Sequence, residues 1–239
     1  MGSNPCLILT HNNLGLTKKC VDSLMRQDTD CWVHVVDNDS TDGTWEWIKG
    51  ATTAPVQFKP QIGVSAGWNV GLKFLFECED AEHVLCVNSD TVLPRWFYSS
   101  LLSYDGPFIS GVSVDNMDVI ASHEPRKELA PCPDFSAWLM RRECWDKVGK
   151  FDENQVLYCS DLDYHIRAHR AGVRLMNAGV PFYHQRSSTL NNANPKEKRA
   201  IQMQADADRL VFYEKYCFHT WSPEYAAQFD ESLFGVDAK

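Results

Sequence analysis

No stretch of eighteen consecutive apolar residues occurs in this 239-residue chain, so no membrane-spanning helix is encoded. Basic residues are in short supply: 23 Lys and Arg stand against 32 Asp and Glu, a formal charge of 23 − 32 = −9. A field of that sign repels phosphate backbones and anionic headgroups, so no stable nucleic-acid binding is expected. The nine cysteines form no C-x-x-C pair, which removes the common zinc and redox spacings. Several sit in apolar runs, as Cys86 does between Leu85 and Val87, and predict buried reduced thiols in a cytoplasmic setting. Neither G-x-G-x-x-G nor G-x-x-x-x-G-K-[ST] is present, which excludes the dinucleotide fingerprint and the phosphate loop. H-E-x-x-H is absent as well, and the opening Met1-Gly2-Ser3-Asn4-Pro5 does not read as a secretory leader.

What is there is a regular alternation. Cys6–Leu9 is a short apolar run of the kind buried on both faces of a parallel sheet, and it ends in Thr10-His11-Asn12. Leu16, Cys20, Val21, Leu24 and Met25 follow at helical spacing. A second strand over 32–36 stops at Asp37, and the turn-rich Asp37–Gly43 predicts a cap for a helix around Thr44–Lys49. A weak strand at 56–58 precedes Gly63–Gly71, which leads into a helix carrying Leu72, Leu75 and Phe76. The strand 83–87 ends at Asn88-Ser89-Asp90. This order predicts an α/β fold with a mainly parallel sheet flanked by helices, whose ligands bind beyond the carboxyl ends of the strands. Further on, 108–114 and 119–122 read as strands, and Ser160 opens a helix running to Ala171. Short strands follow at 173–176 and 180–183, the latter ending at His184, and a final helix runs from Pro195 to about Tyr216. The expected organisation is one domain over 1–194, with a first half to about 93 and a second from 94, plus a helical C-terminal extension over 195–239.

Some residues stand out for chemistry. Asp90 lies where a strand meets the cleft, and a carboxylate there can hold Mg²⁺ or Mn²⁺ against a diphosphate; the plainer reading is a strand-end turn. Asp161 and Asp163 are two apart and cannot share a helix face, so one can face the cleft as a general base while the other caps or pairs. His184 can ligate a metal or contact a phosphate, although a lone histidine is more often structural. Gly63, Gly67 and Gly71 are spaced four apart, a pattern for close packing, with Asn69 between them able to reach the cleft. Trp138 can stack on a ring or fill the core, and Arg167 can steady a phosphate or pair with Asp163. A Ser-His-Asp hydrolase and cysteine catalysis at Cys159 are set aside.

The succession Leu7-Ile8-Leu9-Thr10-His11-Asn12, Val35-Val36-Asp37-Asn38-Asp39-Ser40, Ile62-Gly63-Val64-Ser65-Ala66-Gly67-Trp68-Asn69 and Val87-Asn88-Ser89-Asp90 resembles the inverting family 2 glycosyltransferases of GT-A fold. Val148-Gly149-Lys150-Phe151-Asp152-Glu153 and Asp161–Gly172 are similar to that family's acceptor-side segments, and the variant is closest to rhamnosyltransferase-like members. The resemblance implies a nucleotide-sugar donor, UDP- or dTDP-linked, and a divalent cation, Mn²⁺ or Mg²⁺. It assigns Thr10, His11, Asn12, Asp37, Asn38, Gly63, Asn69, Asn88, Ser89 and Asp90 to the donor, and Asp90 with His184 to the metal. Asp161 becomes the catalytic base, with Trp138, Asp163 and Arg167 on the acceptor side. The acceptor is a hydroxyl on a glycan, a small molecule or a modified nucleobase. Two departures stand out: Asn88 replaces the first carboxylate of D-x-D, and Ser160 replaces the acidic residue before the base, which predicts a less elevated pKa for Asp161. A sugar-1-phosphate nucleotidyltransferase, or a non-catalytic nucleotide-sugar or glycan-binding module, is the competing reading.

Overall fold

A computed structural model describes residues 4–122, 129–130, 132–186 and 193–229. Strands β1 (Asn4–Thr10), β2 (Cys31–Asn38), β3 (Val56–Phe58), β4 (His83–Asn88), β5 (Thr91–Val92), β6 (Phe108–Val114), β7 (Ala137–Arg141) and β8 (Leu175–His184) form one sheet in the order β3-β2-β1-β4-β7-β6-β8-β5. The first four strands of that order pair in parallel, as do β6 and β8, while β7 and β5 run antiparallel to their neighbours. The β1 register sets Thr10 beside Asp37 and Leu9 beside Asn88, which brings the polar tips of β1, β2 and β4 to one edge. The strand order reverses around β1 and β4, where open α/β sheets form their ligand crevice.

The period of two along each strand decides which helix covers which face. Cys6 and Ile8 pack with α1 (Leu14–Leu24), α2 (Thr44–Ala51) and α4 (Phe97–Leu102). Leu7 points the other way, into a layer built by α3 (Val64–Lys73), α6 (Arg142–Val148) and α7 (Ser160–Arg170). Gly67 is what lets α3 lie so close to the sheet, because a Cβ there would stand 2.5 Å from Leu9 Cδ1. A third apolar cluster joins Leu162 and Ile166 of α7 to Phe212 of α8 (Pro195–Tyr216) and Tyr225 of α9 (Pro223–Ala226). Asn194 and Glu197 close a reciprocal capping box at the start of α8.

Three expectations need correction. Residues 119–122 belong to a short helix, α5 (Asp118–Ser122), which an Asn116 side chain initiates by accepting the Asp118 N–H at 2.9 Å. A run of four apolar-biased residues carries no period, and this local side-chain bond settled the outcome. Gly63–Gly71 does not precede a helix: Val64 onward is the helix, continuing through a π-helical turn over Phe74–Cys78. The two short strands before His184 are one, β8, which Gly179 at φ +65° and a shift of register against β6 carry past an irregularity. Cys6, Cys20, Cys86, Cys144 and Cys159 are buried free thiols, as their apolar settings predict, while Cys78, Cys132 and Cys217 are exposed.

Candidate active site

The tips of β1 and β2 are knitted by side chains. Asn12 is placed in the left-handed region at φ +57°; its N–H donates to Ser40 Oγ at 2.7 Å, and its Oδ1 accepts the Thr41 N–H at 2.8 Å. His11 Nδ1 lies 2.7 Å from the Asn38 carbonyl, and its Nε2 lies 3.1 Å from Asn12 Nδ2. Thr10 is buried, with its hydroxyl 2.9 Å from that of Thr17. Asp37 is fully buried, and its Oδ1 accepts from the Ser40 N–H and from Gln57 Nε2, each at 3.0 Å. Its other oxygen has no partner among the described residues. A buried carboxylate oxygen without a donor is costly, and a ligand N–H would relieve it.

Asn38 departs from its expected role. Its Oδ1 accepts the Ile62 N–H at 2.7 Å and its Nδ2 donates to the Gly63 carbonyl at 3.2 Å, so the amide is spent on shaping the entry to α3. Gly63 itself serves as backbone. Its φ of +88° favours glycine, and a Cβ there would meet the Val156 carbonyl oxygen at 2.9 Å. Asn69 is also a clasp rather than a cleft residue. Its amide donates to the Phe151 carbonyl and to Glu153, and accepts the Phe151 N–H, all within 2.8–2.9 Å.

At the end of β4, Asp90 Oδ1 and His184 Nε2 stand 3.2 Å apart, because β5 pairs Thr91 with His184. Among the described residues no third His, Cys, Asp or Glu joins them to make a closed metal cage. One carboxylate and one imidazole suit Mn²⁺ or Mg²⁺ only where other oxygens complete the coordination. Ser89 sits in the turn between Asn88 and Asp90.

A cavity of about 500 Å³ opens beside this edge, lined by Asn88, Asp134, Trp138, Ser160, Asp161 and Arg186 among others. Asp90 lines a separate, smaller cavity of about 320 Å³ that also touches Lys19 and Asp115. Burial pushes the Asp161 carboxyl above the ordinary range, and the nearby charge of Asp134 adds to this against the opposing Leu162 N–H. The missing acidic neighbour at Ser160 is thus replaced in space by Asp134, a residue the sequence reading did not single out. Asp134 is held by the N–H groups of Ser113 and Ser136 at 3.0 and 2.9 Å. Arg186 was likewise missed; its guanidinium donates to Ser113 Oγ at 3.0 Å on the cavity wall. Its only sequence signal is its place two residues beyond the strand end at His184. Cys159, which starts α7 in the left-handed region at φ +65°, aims the first turn of that helix at the cavity.

Asp163 and Arg167 do not face this cavity. Asp163 is fully buried and binds Arg167 Nε at 2.7 Å, Lys215 Nζ at 2.6 Å and the Tyr216 hydroxyl at 2.7 Å, which locks α7 to α8. The helix period separates it from Asp161, as the spacing of two requires. Trp138 is buried against Trp68, Phe108 and Phe135, so it offers no open stacking face. Its ring N–H is unpartnered among the described residues.

Setting a serine hydrolase aside overlooks Gly63-Val64-Ser65-Ala66-Gly67, which has G-x-S-x-G spacing. Ser65 is fully buried in α3 and donates to the Gln155 carbonyl at 2.5 Å, so it is no exposed nucleophile. The sequence reading counts no H-x-x-x-H pattern, and that is wrong: His165 and His169 form such a pair on α7, with both rings packed against Phe229.

The model of the family described as "Glycosyl transferase family 2" matches residues 6–161. An uncharacterized protein of Mycobacterium tuberculosis is 29% identical over 138 residues, which is 51% of this chain and 52% of the relative. An uncharacterized protein of Mycobacterium bovis matches equally. The chain therefore spans about half the length of these curated relatives. Among solved structures, Staphylococcus aureus TarS 1–349 superposes with a TM-score of 0.57 at 17% identity, covering 95% of this chain and 77% of that one. The same TarS segment has also been solved in complex with UDP. The mannosyltransferase PcManGT from Pyrobaculum calidifontis, in complex with GDP-Man and Mn²⁺, superposes at 0.56 and 16% identity, covering 95% and 78%. At such identities the likeness is one of fold.

Proposed function

The chain belongs to glycosyl transferase family 2, and from that premise we propose that it moves a sugar from a UDP- or dTDP-linked donor to an acceptor hydroxyl, with inversion at the anomeric carbon. The observation that carries this reading is the placement of Asp161. Its carboxyl is held above its ordinary pKa on the wall of the cavity that Asn88 enters from the β4 tip. A carboxylate with a raised pKa is a stronger base, yet it is still ionised near neutrality unless the shift is extreme.

The acceptor oxygen attacks the anomeric carbon from the face opposite the diphosphate. As the new C–O bond forms, the bond to the diphosphate breaks and the acceptor proton passes to Asp161. The base of the nucleotide is assigned to Asp37, whose second oxygen is buried without a partner among the described residues and, once uncovered, would accept the imide N–H of uracil or thymine. Thr10, His11 and Asn12 form the loop beside it. Arg186 would meet negative charge in the cavity, where a guanidinium matches phosphate oxygens well. Asp90 and His184 would hold Mn²⁺ or Mg²⁺, with diphosphate and water supplying the remaining oxygens. That cation, when bound, supplies positive charge for the departing diphosphate. The division into a donor half, an acceptor half from about residue 94, and a C-terminal extension from 195 belongs to the same proposal; the extension contributes the Asp208 clasp behind the cavity.

The test is a thermal-shift and hydrolysis screen of UDP-, dTDP- and GDP-sugars, each with Mn²⁺ and with EDTA. Stabilisation and slow hydrolysis with a UDP- or dTDP-sugar are expected, and Asp161→Asn should retain the stabilisation while losing hydrolysis and transfer. Binding without turnover by the unaltered protein would favour the non-catalytic reading, and pyrophosphate release from a nucleoside triphosphate would favour the nucleotidyltransferase.

A further inference from the structure

Asp161 lines two cavities. One is the polar chamber described above; the other, of about 440 Å³, lies on the C-terminal side between α7 and α9. The second chamber has a different chemistry. Trp221, Tyr225, Phe229, Phe135 and Leu162 supply its large apolar side chains. Trp221 is 76% exposed, an unusual state for the largest apolar side chain, and its ring centroid lies 5.7 Å from that of Tyr225. Its backbone lies in the left-handed region at φ +59°, which is unfavourable for a bulky side chain.

Among the described residues that line it, the polar groups are few and, Asp161 apart, uncharged. His165 is buried, and burial together with the neighbouring His169 pulls its pKa down to about 4, so it is neutral at pH 7. Its Nδ1 lies 3.3 Å from the Tyr225 hydroxyl. Ser222 has its hydroxyl engaged by the Tyr225 N–H at 3.2 Å. No Lys, Arg, Asn or Gln lines the chamber among the described residues. A phosphorylated or carboxylated acceptor would lose its hydration there with no cation among the described residues in return, and a sugar would leave most of its hydroxyls unpaired by them. An apolar body loses nothing polar and gains the burial of its surface against aromatic rings.

We propose that the chamber lined by Trp221, Tyr225 and Phe229 is the acceptor subsite, and that the acceptor is an uncharged alcohol or phenol on an apolar body, whose hydroxyl reaches Asp161 at the junction of the two cavities. The proposal rests on the glycosyl-transfer reading, and it adds the acceptor class. The volume suits a substituted phenol or the hydroxyl end of a longer aliphatic alcohol.

The probe is a series of 4-alkylphenols, from 4-methylphenol to 4-hexylphenol, with methyl α-D-glucopyranoside and glycerol 3-phosphate as the polar and anionic comparisons. Binding is read on the full chain by Trp fluorescence and by ligand-observed NMR. The affinity of the phenols should rise by about threefold to fourfold per added CH₂ until the chamber is full. Trp221→Gln, an exposed position that the fold tolerates, should weaken 4-hexylphenol at least about fivefold. Ala226→Trp, which fills the chamber from α9, should abolish its binding. The same phenols, with the donor found in the nucleotide screen, should yield an alkylphenyl glycoside. Equal or tighter binding of the glucoside or the glycerol phosphate would overturn the proposal. So would phenol binding indifferent to both substitutions, or a phenol that binds without being glycosylated by a donor that the enzyme hydrolyses. Failure of every nucleotide to stabilise the protein would instead strike the donor reading, because that response is measured without any acceptor.

Discussion

The carboxylate of Asp208 holds the backbone of Tyr158: Oδ2 accepts the Tyr158 N–H at 2.8 Å, and the same oxygen accepts that of Leu157. Oδ1 takes the Val156 N–H at 2.9 Å. One fully buried side chain on α8 thus fixes three successive peptide groups of the loop that leads to Cys159, Ser160 and Asp161. Charge-assisted bonds from backbone donors are strong in a site shielded from water. The C-terminal helix therefore positions the candidate base without touching it.

Asp208→Ala should destabilise the protein by about 2–4 kcal/mol, because the three N–H groups lose their acceptor in a partly buried loop. The measurement is urea unfolding of both proteins at neutral pH. A loss below about 0.5 kcal/mol, the scatter of surface substitutions, would show that the loop holds itself. Activity should fall further than the unfolded fraction explains, since Asp161 loses its placement, and added osmolyte that restores folding should not restore it fully.

Asp161→Asn carries an opposed pair of outcomes. Transfer should drop by about 100- to 10,000-fold, the usual worth of a positioned base. Stability should rise. The folded-state pKa of Asp161 lies above its unfolded value, so between the two the native protein holds more protons than the unfolded chain. Stability of the unaltered protein therefore falls as pH climbs from the ordinary carboxylate range through the raised pKa. Asparagine removes that penalty. The melting temperature of the variant should exceed that of the parent at pH 7, and the gap should close toward pH 3. A variant that is less stable at pH 7 would mean that the carboxylate is held by favourable partners and is not a strained base.

Much of this arrangement could be read from the residues. Apolar runs that stop abruptly at Thr10, Asp37 and Asn88 placed three strand tips at one edge, because a buried parallel strand has no polar positions to blur its ends. The spacing of Asp161 and Asp163 puts them on different helix faces, and only Asp161 lines the cavity, unlike the acceptor-side place that the resemblance implies for Asp163. What the residues hid was what each side chain is spent on. Asn38, Asn69 and Asp163 are as polar as any ligand-binding group, yet each is held by partners between 24 and 84 positions away, contacts that no local pattern encodes; only the Asp163–Arg167 pair is local to one helix. Asp134 and Arg186 were missed for the converse reason: they lie in irregular segments, and only the folded sheet carries them to the wall beside Asp161. The aromatic chamber was invisible because Leu162, Tyr225 and Phe229 belong to separate elements.

Asp90 and His184 should act together on the cation. In the presence of UDP, Asp90→Ala and His184→Ala should each raise the Mn²⁺ concentration for half-maximal thermal stabilisation by about tenfold or more, at least about 1.4 kcal/mol in binding. The double substitution should cost less than the sum of the two, since each residue loses value once its partner is gone. Strict additivity, or a response to Mn²⁺ unchanged in either variant, would remove the pair from the metal site. Their separation of 3.2 Å in a largely buried setting is a direct contact, so either substitution should also cost the free protein about 1–3 kcal/mol by taking that contact from its partner.

Lys215 bridges Asp152 and Asp163, at 2.7 and 2.6 Å, and so ties the loop after α6 to α7 through α8. Burial alone would raise the Asp152 carboxyl, but hydrogen bonds from Lys215 and Asn154 outweigh it and hold the group below its ordinary range. A depressed carboxylate contributes stability that is present above its unfolded pKa and is lost as pH falls through the folded one. Lys215 runs the other way: burial lowers its pKa, the two carboxylates raise it further than that, and its contribution is full at neutral pH and fades only in strong alkali. Lys215→Met should therefore cost about 1–2 kcal/mol at pH 7, discounted because the ammonium is partly solvated while Asp163 keeps Arg167 and Tyr216. The cost should shrink on acidification below about pH 3.8, the ordinary carboxylate value, where Asp152 is neutralised in the unfolded chain and then in the native one. Unfolding of both proteins across pH 2–8 checks this, and a cost that stays constant through the acid range would show that Lys215 contributes packing of its stem and not charge.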